Sequence, residues 1–286
     1  MKIGAHVSTS GALTNAFERA AAIGAEAMQI FLSSPRFWGM KPVPDDVGQE
    51  FRRLSEETGI GPTYLHGIYL VSICSPNEEL LGKSVTALAK YMGGASAIGA
   101  GGVIFHCGSH GGEGFEAVFD RAVKSLEAVL RESPQDVQMV IENSAGMGNH
   151  IGSKFSEIGK IVKALDDPRV RVCLDTQHSF AAGYDLTQKD TLEAVMDEFD
   201  REIGVGKLAA VHCNDSKVDF GGAVDRHENI GEGKMGLEAF EVIMAHPAFR
   251  DVPFFLEVPG ASKEAKGPDK ENVDRLKRIR ESLGLT

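Results

Sequence analysis

The chain has 286 residues, 42% of them hydrophobic, and a formal net charge of −11 from 30 basic and 41 acidic side chains. A chain of this size can bury a large core, and α/β barrels often reach about 250 residues as one domain. The acidic balance disfavours a protein that coats nucleic acid through a basic surface, and no apolar run is long enough for a transmembrane helix.

Eight short apolar runs along the chain are typical of β-strands. They cover residues 2–7, 27–32, 62–66, 102–106, 138–142, 171–175, 208–213 and 253–258. The segments between them have apolar residues at helical spacing, and several end at Gly, a common helix C-cap. In chain order these segments are TNAFERAAAIG, EFRRLSEETG, GKSVTALAKYMGGASAIG, FEAVFDRAVKSLEAVLRE, KFSEIGKIVKAL, TLEAVMDEFDREIG, LEAFEVIMAH and DKENVDRLKRIRESLG.

Strand and helix therefore alternate eight times, which is the pattern of a TIM barrel. The predicted fold is α/β, a single (β/α)8 TIM barrel that spans residues 1–286 as one catalytic domain. A doubly wound open sheet is the alternative. It would gather functional residues at one switch point rather than from many strand ends.

Seven segments carry His, Asp or Glu where a predicted strand ends or a loop begins. These nine residues are His66, His106, Glu142, Asp175, His178, His212, Asp225, His227 and Glu257. The C-terminal ends of the strands of a TIM barrel form one face, where active sites lie. Each residue alone has an ordinary structural explanation, such as a hydrogen-bonded His or a helix N-cap. Together they predict a metal site at the C-terminal ends of the strands.

The number of candidate ligands bears on the number of ions. Zinc takes four ligands, and a catalytic zinc usually takes three from the protein. Nine ligands therefore suggest two or three ions with at least one shared carboxylate. Glu142 is well placed to bridge two ions, because its strand lies between those of His106 and Asp175. His6 ends the first strand and is a candidate to contact the ligands themselves.

The cysteines and the N-terminus bear on cellular location. The four cysteines are Cys74, Cys107, Cys173 and Cys213, and they include no C-x-x-C pair. Reduced, buried cysteine in a cytoplasmic protein is the simplest interpretation. Cys107 and Cys213 each follow a candidate ligand, so strand alternation points them away from the site. The N-terminal MKIGAHVSTS lacks the apolar region of a signal peptide.

Several longer motifs resemble the endonuclease IV family of apurinic/apyrimidinic endonucleases, also called AP endonuclease family 2. The segments that carry the resemblance are GAHVS, IENSAG (141–146), LDTQHSFAAGYD (174–185), HCNDSK (212–217), DRHENIGEGKMG (225–236) and FFLEVP (254–259). The resemblance runs from Lys2 to about Leu283. All nine candidate ligands fall on ligand positions of that family's trinuclear zinc site.

The resemblance implies a role for each site residue. His66 and His106 would hold one zinc, Glu142 would bridge it to a second completed by Asp175, His212 and Glu257, and His178, Asp225 and His227 would hold the third. Glu142 is accordingly the candidate catalytic residue. The family's DNA-contacting residues, which hold the abasic nucleotide out of the base stack, correspond to Arg36, Tyr69 and Leu70. Ile68, Ser72 and Gln177 depart from the family pattern and bear on the fit to DNA and on the rate.

The expected function is that of a zinc-dependent phosphoric diester hydrolase of the deoxyribonuclease IV type, with three Zn²⁺ per chain. It would cut duplex DNA 5′ to abasic sites, leaving a 3′-hydroxyl and a 5′-deoxyribose phosphate, with 3′-phosphatase or 3′-phosphodiesterase action as a side activity. Abasic duplex DNA is the expected partner of a monomer that does not bind membranes. A sugar isomerase or epimerase on a similar barrel, and a protein that binds damaged DNA or stores zinc without cutting, are the alternatives.

Overall fold

The computed structural model describes residues 1–261 and 267–285. Its centre is a closed barrel of eight parallel strands, in which the first strand pairs with both the second and the last. The barrel strands are β1 (Ile3–His6), β2 (Ala27–Ile30), β3 (Thr63–His66), β4 (Gly102–Phe105), β5 (Gln138–Glu142), β6 (Val170–Asp175), β7 (Leu208–His212) and β10 (Phe254–Leu256). The predicted TIM barrel is confirmed, and the open doubly wound sheet is wrong.

Helices surround the barrel. They are α1 (Asn15–Ala22), α2 (Asp45–Thr58), α3 (Glu78–Ile98), α4 (Phe115–Glu132), α5 (Phe155–Leu165), α6 (Thr176–Ala182), α7 (Lys189–Glu202), α8 (Leu237–Ala245) and α9 (Lys270–Ser282), with 3-10 turns at Met147–Asn149, Val205–Lys207 and Pro247–Phe249. Two features were not predicted, the short helix α6 and the two-stranded ribbon of β8 (Asp215–Ser216) and β9 (His227–Glu228). None of the helices described is long and apolar enough to cross a membrane.

The inward-facing side chains form two layers. The lower layer is a small buried cluster of Ala27, Tyr64, Ile104, Val140, Cys173, Ala209, Ala210 and Phe255. Side chains alternate between the two faces of a strand, so the next inward position lies two residues further along. Six members of this layer, Tyr64, Ile104, Val140, Cys173, Ala210 and Phe255, are followed two residues later by His66, His106, Glu142, Asp175, His212 and Glu257, and Ala27 is followed by Gln29. The strands thus bury an apolar layer first and end on polar residues at one mouth.

Two glycines make room for the bulky members of the lower layer. A Cβ on Gly4 would lie 2.5 Å from the carbonyl oxygen of Ala27 and 2.9 Å from the Phe255 ring. A Cβ on Gly102 would lie 2.7 Å from the carbonyl oxygen of Gln138. Since real Cβ atoms do not approach so closely, any larger residue at either position would push the strands apart.

The larger core lies between the sheet and the helices. Cys107 and Cys213 belong to it, which confirms that they point away from the barrel interior, whereas Cys173 lies inside the barrel. All four cysteines are buried and free, as predicted. At the N-terminal end, Arg280 of α9 donates to both carboxylate oxygens of Glu26, at 2.6 and 2.8 Å. That contact joins the last helix to the start of β2.

Candidate metal centre

Glu142 lies at the centre of the predicted site, fully buried at the end of β5. Its Oε2 is 3.3 Å from the Nε2 atoms of His66 and His106. Its Oε1 is 2.8 Å from Nδ1 of His212 and 3.3 Å from Nδ1 of His178. One carboxylate thus faces four histidines that come from different elements, which is the position that a bridging ligand requires.

The ligand atoms fall into three sets, and within each set they lie within 4.8 Å of one another. The sets are His66, His106 and Glu142; Glu142, Asp175, His212 and Glu257; and Asp175, His178 and His227. The first two match the predicted grouping. The third contains Asp175 in the place predicted for Asp225. Glu142 joins the first set to the second, and Asp175 joins the second to the third.

Asp225 lies on the solvent side of the third set. Its Oδ1 is 3.4 Å from Nε2 of both His178 and His227, and its side chain is 46% exposed. Burial raises the pKa of its carboxyl, but the closeness and positive charge of the His178 ring outweigh burial and lower it to about 2. An ionised Asp225 is therefore available beside the third set. Its direct ligation stays a prediction.

Three histidines turn the same ring nitrogen toward the site. Nδ1 of His66 donates to the carbonyl oxygen of Gly67 at 2.7 Å, and Nδ1 of His178 donates to that of Asn143 at 3.0 Å. Nδ1 of His227 donates to the carbonyl oxygen of Glu257 at 3.2 Å. A neutral imidazole that donates from Nδ1 keeps an unprotonated Nε2, the form in which His binds a metal.

His212 turns its other ring nitrogen, Nδ1, toward the site, and Gln29 holds it in that orientation. Its Nε2 donates to Oε1 of Gln29 at 2.7 Å, which turns Nδ1 toward Glu142, 2.8 Å from Oε1. The same amide donates from its Nε2 to Oε1 of Glu257 at 2.6 Å and lies 3.0 Å from Nδ1 of His6. His6 therefore contacts the ligand layer, as predicted. Gln29 was not predicted, although a polar residue at the inward position of the AMQI strand is a usable signal.

Two asparagines that were also not predicted position the carboxylates. Oδ1 of Asn143 accepts from the backbone N–H of Asp175 at 2.7 Å. Nδ2 of Asn214 donates to Oδ2 of Asp175 at 2.7 Å, and its Oδ1 accepts from the backbone N–H of Glu257 at 2.8 Å. Each Asn follows a ligand by one or two residues, so the chain that delivers one ligand also braces another.

Helix α6 explains how Asp175 and His178 share the site. Asp175 is the N-cap of this helix, and its Oδ1 accepts from the backbone N–H of His178 at 2.8 Å. Capping of this kind satisfies an N–H group that the first helical turn leaves free. The sharp turn after β6 that would bring both residues to the site is therefore the start of a helix, and the candidate ligand Asp175 is its N-cap.

The long loop between β7 and α8 carries Asp225 and His227 and is held at two points. Asp215 accepts backbone N–H groups from Gly231, Gly233 and Met235, each at 3.0 Å. The fully buried Gln177 donates to the carbonyl oxygen of Val224 at 3.0 Å and accepts from the backbone N–H of Arg226 at 3.3 Å. Gln177, a departure from the family pattern, thus forms hydrogen bonds with the backbone on both sides of Asp225.

The electrostatics of the cluster fit bound cations. No Lys or Arg in residues 1–261 or 267–285 forms an ion pair with Glu142, Asp175, Asp225 or Glu257, whose ionic partners are all histidines. Burial opposes ionisation of Glu142, but the neighbouring histidines hold the pKa of its carboxyl well below its usual range. Burial lowers the pKa of His106 to about 4, so this ring is neutral at pH 7.

Unpaired ring nitrogens also favour bound metal ions. Nδ1 of His106 and the Nε2 atoms of His178 and His227 are buried without a hydrogen-bond partner among the residues described. Leaving a buried polar atom unpaired costs about 1–3 kcal/mol. Since imidazole and carboxylate together suit Zn²⁺, these residues fit zinc ions, and a metal ligand bond would satisfy the unpaired Nε2 atoms.

Of the predicted DNA-contacting residues, Tyr69 lines the cleft above the cluster, and Arg36 follows Pro35, which also lines it. Arg36 is exposed in the loop after β2. Tyr69 is 59% exposed, and its backbone N–H donates to the carbonyl oxygen of Pro35 at 2.9 Å, which ties the two rim loops together. Its ring packs edge-on against His66, with centroids 5.9 Å apart. Leu70 differs, because it is partly buried and packs against the core.

The other two departures from the family pattern stabilise the loop after β3. Ile68 is buried in the larger core, with 3% of its surface exposed. The backbone N–H of Ser72 donates to Oγ of Ser84 in α3 at 3.0 Å. Ile68 anchors the loop that presents Tyr69 through its side chain, whereas Ser72 does so through its backbone, a contact that does not depend on the Ser side chain.

Comparison with known proteins places the chain in a family. A family model described as a xylose isomerase-like TIM barrel matches residues 17–282. A probable endonuclease 4 from Halothermothrix orenii is 39% identical over 97% of this chain and 100% of its own length. A probable endonuclease 4 from Methanosphaerula palustris is 38% identical over 98% of each chain.

The fold is shared more widely than the sequence. The crystal structure of endonuclease IV from Thermus thermophilus superposes with a TM-score of 0.85 and 32% identity over 100% of both chains. A D-tagatose 3-epimerase-like protein, with a TM-score of 0.73 but 18% identity over 99% and 97% of the two chains, shares the barrel alone. From the length and identity of these matches, the chain belongs to the endonuclease IV family.

Proposed function

We propose that the protein is a DNA-repair hydrolase that cleaves duplex DNA 5′ to abasic sites with the help of three Zn²⁺ ions. The products would be a 3′-hydroxyl and a 5′-deoxyribose phosphate, with 3′-phosphatase or 3′-phosphodiesterase action as a side activity. Membership of the endonuclease IV family supports DNA cleavage. The choice of abasic sites, the number of ions and their identity rest on the geometry of the site.

The observation that carries the proposal is the chain of shared carboxylates. Glu142 belongs to two ligand sets and Asp175 to two, so three sets lie side by side at the mouth of the barrel. Above them is a cleft of about 850 Å³, lined by His66, His106, His178, His227 and Glu257 among others. A purely structural zinc site is closed and often rich in Cys. This one faces an open cleft and uses no Cys, which favours catalysis.

Zinc ions held here would supply a water of lowered pKa as nucleophile and would neutralise the charge of the phosphate. The chain's own contribution is to keep the ligands ready for them. Gln29 and Asn214 fix His212, Asp175 and Glu257 through hydrogen bonds of 2.6–2.8 Å. Preorganised polar groups cost no rearrangement when charge develops in the reaction.

Selection of abasic DNA would come from the rim. A nucleotide without a base has little stacking to lose, so it leaves the duplex at low cost. Arg36 and the exposed Tyr69 stand where they could enter the duplex and keep that nucleotide in the cleft, with Leu70 behind them. The net charge of −11 does not oppose this contact decisively, because bound cations are often the largest local charges at a site.

Metal analysis combined with a cleavage assay tests the proposal. Protein purified without chelator should contain close to three metal ions per chain, mostly zinc, and should nick a duplex with a single abasic site on its 5′ side. One ion or none in fully active protein would contradict the trinuclear site. Fully loaded protein that leaves abasic duplex intact would contradict the function, and turnover of a ketose instead would support an epimerase.

A further inference from the structure

Large apolar side chains are exposed on the loops around the cleft. Phe37 is 62% exposed, Tyr69 59% and Phe220 52%. All three lie in loops that follow barrel strands, on the face that carries the ligand sets. Phe37 is the most exposed large hydrophobic residue in the part of the chain that the structure describes. One exposed apolar residue is ordinary on a protein surface, but aromatic residues are enriched where proteins bind partners, so three of them on one face favour a partner there.

The loop after β2 is anchored in a way that presents Phe37 to solvent. Trp38 and Met40 are partly buried and pack against the core. The backbone N–H of Phe37 donates to the carbonyl oxygen of Ser34 at 3.1 Å, closing a turn. The Phe37 ring lies directly over Gly39, where an added Cβ would come within 2.3 Å of the ring. The ring is thus seated on the loop backbone while its neighbours hold the loop in place.

This loop is continuous with the proposed DNA-binding rim. Pro35 lines the same cleft as the ligands, and its carbonyl oxygen accepts from the backbone N–H of Tyr69 at 2.9 Å. Arg36, between Pro35 and Phe37 in the chain, is exposed and gives the same loop a positive charge. A cation and an exposed ring on one loop at the edge of the proposed phosphodiesterase cleft match a nucleotide, which offers a phosphate and a flat base together.

We propose that Phe37 stacks on a nucleobase of the DNA substrate beside the abasic nucleotide. The inference rests on the proposed function and extends it to a residue outside the expected set of Arg36, Tyr69 and Leu70. Every base has a π-face, so stacking would add affinity without sequence preference. An abasic gap also removes one stacking neighbour and one pairing partner, which leaves nearby bases accessible at low cost.

Three variants separate stacking from simple apolar contact. F37A should lower kcat/KM on abasic duplex roughly 10-fold, since losing one base–aromatic stack costs about 1–3 kcal/mol. F37W should keep near-normal kcat/KM, and F37L should resemble F37A. V205A is the matched control, because Val205 is 40% exposed in the turn before β7, at the opposite end of the barrel. All four should retain parental metal content and parental turnover of a minimal phosphodiester.

Direct binding distinguishes failure of this inference from failure of the proposed function. A duplex with a non-cleavable abasic analogue should bind F37A more weakly than the parent and should quench the added indole of F37W. If the parent does not cut abasic duplex, the function is wrong, while a lower affinity of F37A for that duplex would still support stacking. Equal affinity and equal kcat/KM of F37A and the parent, or no binding of the duplex at all, would overturn the inference.

Discussion

The carboxylates at the two ends of the barrel have different ionic partners. At the N-terminal end, Glu26 meets Arg280, lies 3.5 Å from Lys277, and accepts from the backbone N–H of Ile3 at 2.9 Å. Burial opposes ionisation there, but the bonds to Arg280 and Ile3 lower the pKa of Glu26 to about 2. At the C-terminal end, Glu142 and Asp175 are more deeply buried and have only histidines as ionic partners.

The difference shows which end is built for stability and which for function. The N-terminal end supplies its own cations from α9, so its charges are balanced in the folded chain. The C-terminal end gathers negative charge with no Lys or Arg partner in the described residues and leaves ring nitrogens unpaired. Burying carboxylates that only histidines can offset is costly. Cations bound there would offset the charge at any pH and would stabilise the fold through linkage.

Removing a negative charge at the C-terminal end should have the largest effect on activity. Glu142→Gln keeps the volume of the side chain but removes a negative charge and a strong metal ligand. We expect kcat on abasic duplex to fall roughly 100-fold or more, by analogy with loss of one strong electrostatic contributor, while the protein still folds. Glu26→Gln makes the same chemical change at the other end and should leave kcat unchanged. Near-normal turnover of Glu142→Gln with full metal content would show that Glu142 is not the bridge.

The rim should matter less than the charge beneath it. Tyr69→Ala combined with Leu70→Ala removes the proposed wedge, which offsets an unstacking cost of a few kcal/mol. We expect kcat/KM on abasic duplex to drop about 10- to 50-fold, while a minimal phosphodiester reacts almost as before. Because the Tyr69 ring contacts His66, metal content must be measured in parallel. An equal loss on both substrates would mean that the pair supports the metal centre instead.

Within the metal centre, the loop-borne ligands should be more easily disturbed than the strand-borne ones. Gln177→Leu removes the two hydrogen bonds that hold the backbone beside Asp225. We expect the affinity for a metal ion at the third ligand set to weaken about 10-fold, as is usual when a residue that orients ligands is lost. Chelator competition followed by elemental analysis measures this. Gln188→Leu, at an exposed position before α7, is the control, and an equal change in both variants would argue against a positioning role.

The smallest effect should be on stability at the N-terminal end, and it should depend on pH. The folded pKa of Glu26, about 2, lies below its ordinary value of 4.5. A depressed pKa adds stability that is complete above the unfolded pKa and is lost as pH falls toward the folded one. Glu26→Gln should therefore cost about 1 kcal/mol at pH 7, after allowance for solvent screening. The difference in the free energy of unfolding between the parent and Glu26→Gln, measured by denaturant unfolding, should disappear as pH falls from about 4.5 to about 2. A difference that persists at pH 2 would mean that the substitution disturbs packing.

The sequence alone was enough for the barrel and for most of the ligand layer. Alternation of apolar strands and amphipathic helices predicted the eight strands, and polar residues at strand ends predicted where His66, Glu142 and His212 would meet. These features are periodic along the chain, because a strand that faces two environments must alternate. Helix α6 and the β8–β9 ribbon were missed, since they depend on contacts around Asp175, Gln177 and Asp215 rather than on periodicity.

Only the tertiary structure decided which ligands share a site and what orients them. The closed barrel brings β6 and the loop after β7 together from distant parts of the chain. Asp175 of β6 belongs to the third set, whereas Asp225 of the loop lies beside that set. Gln29 and Asn214 are neutral amides whose sequence positions do not reveal their partners, yet they fix His212, Asp175 and Glu257. Each residue that can bind metal could be identified from the sequence by itself. Their partnership depends on distances across the barrel that local sequence does not encode.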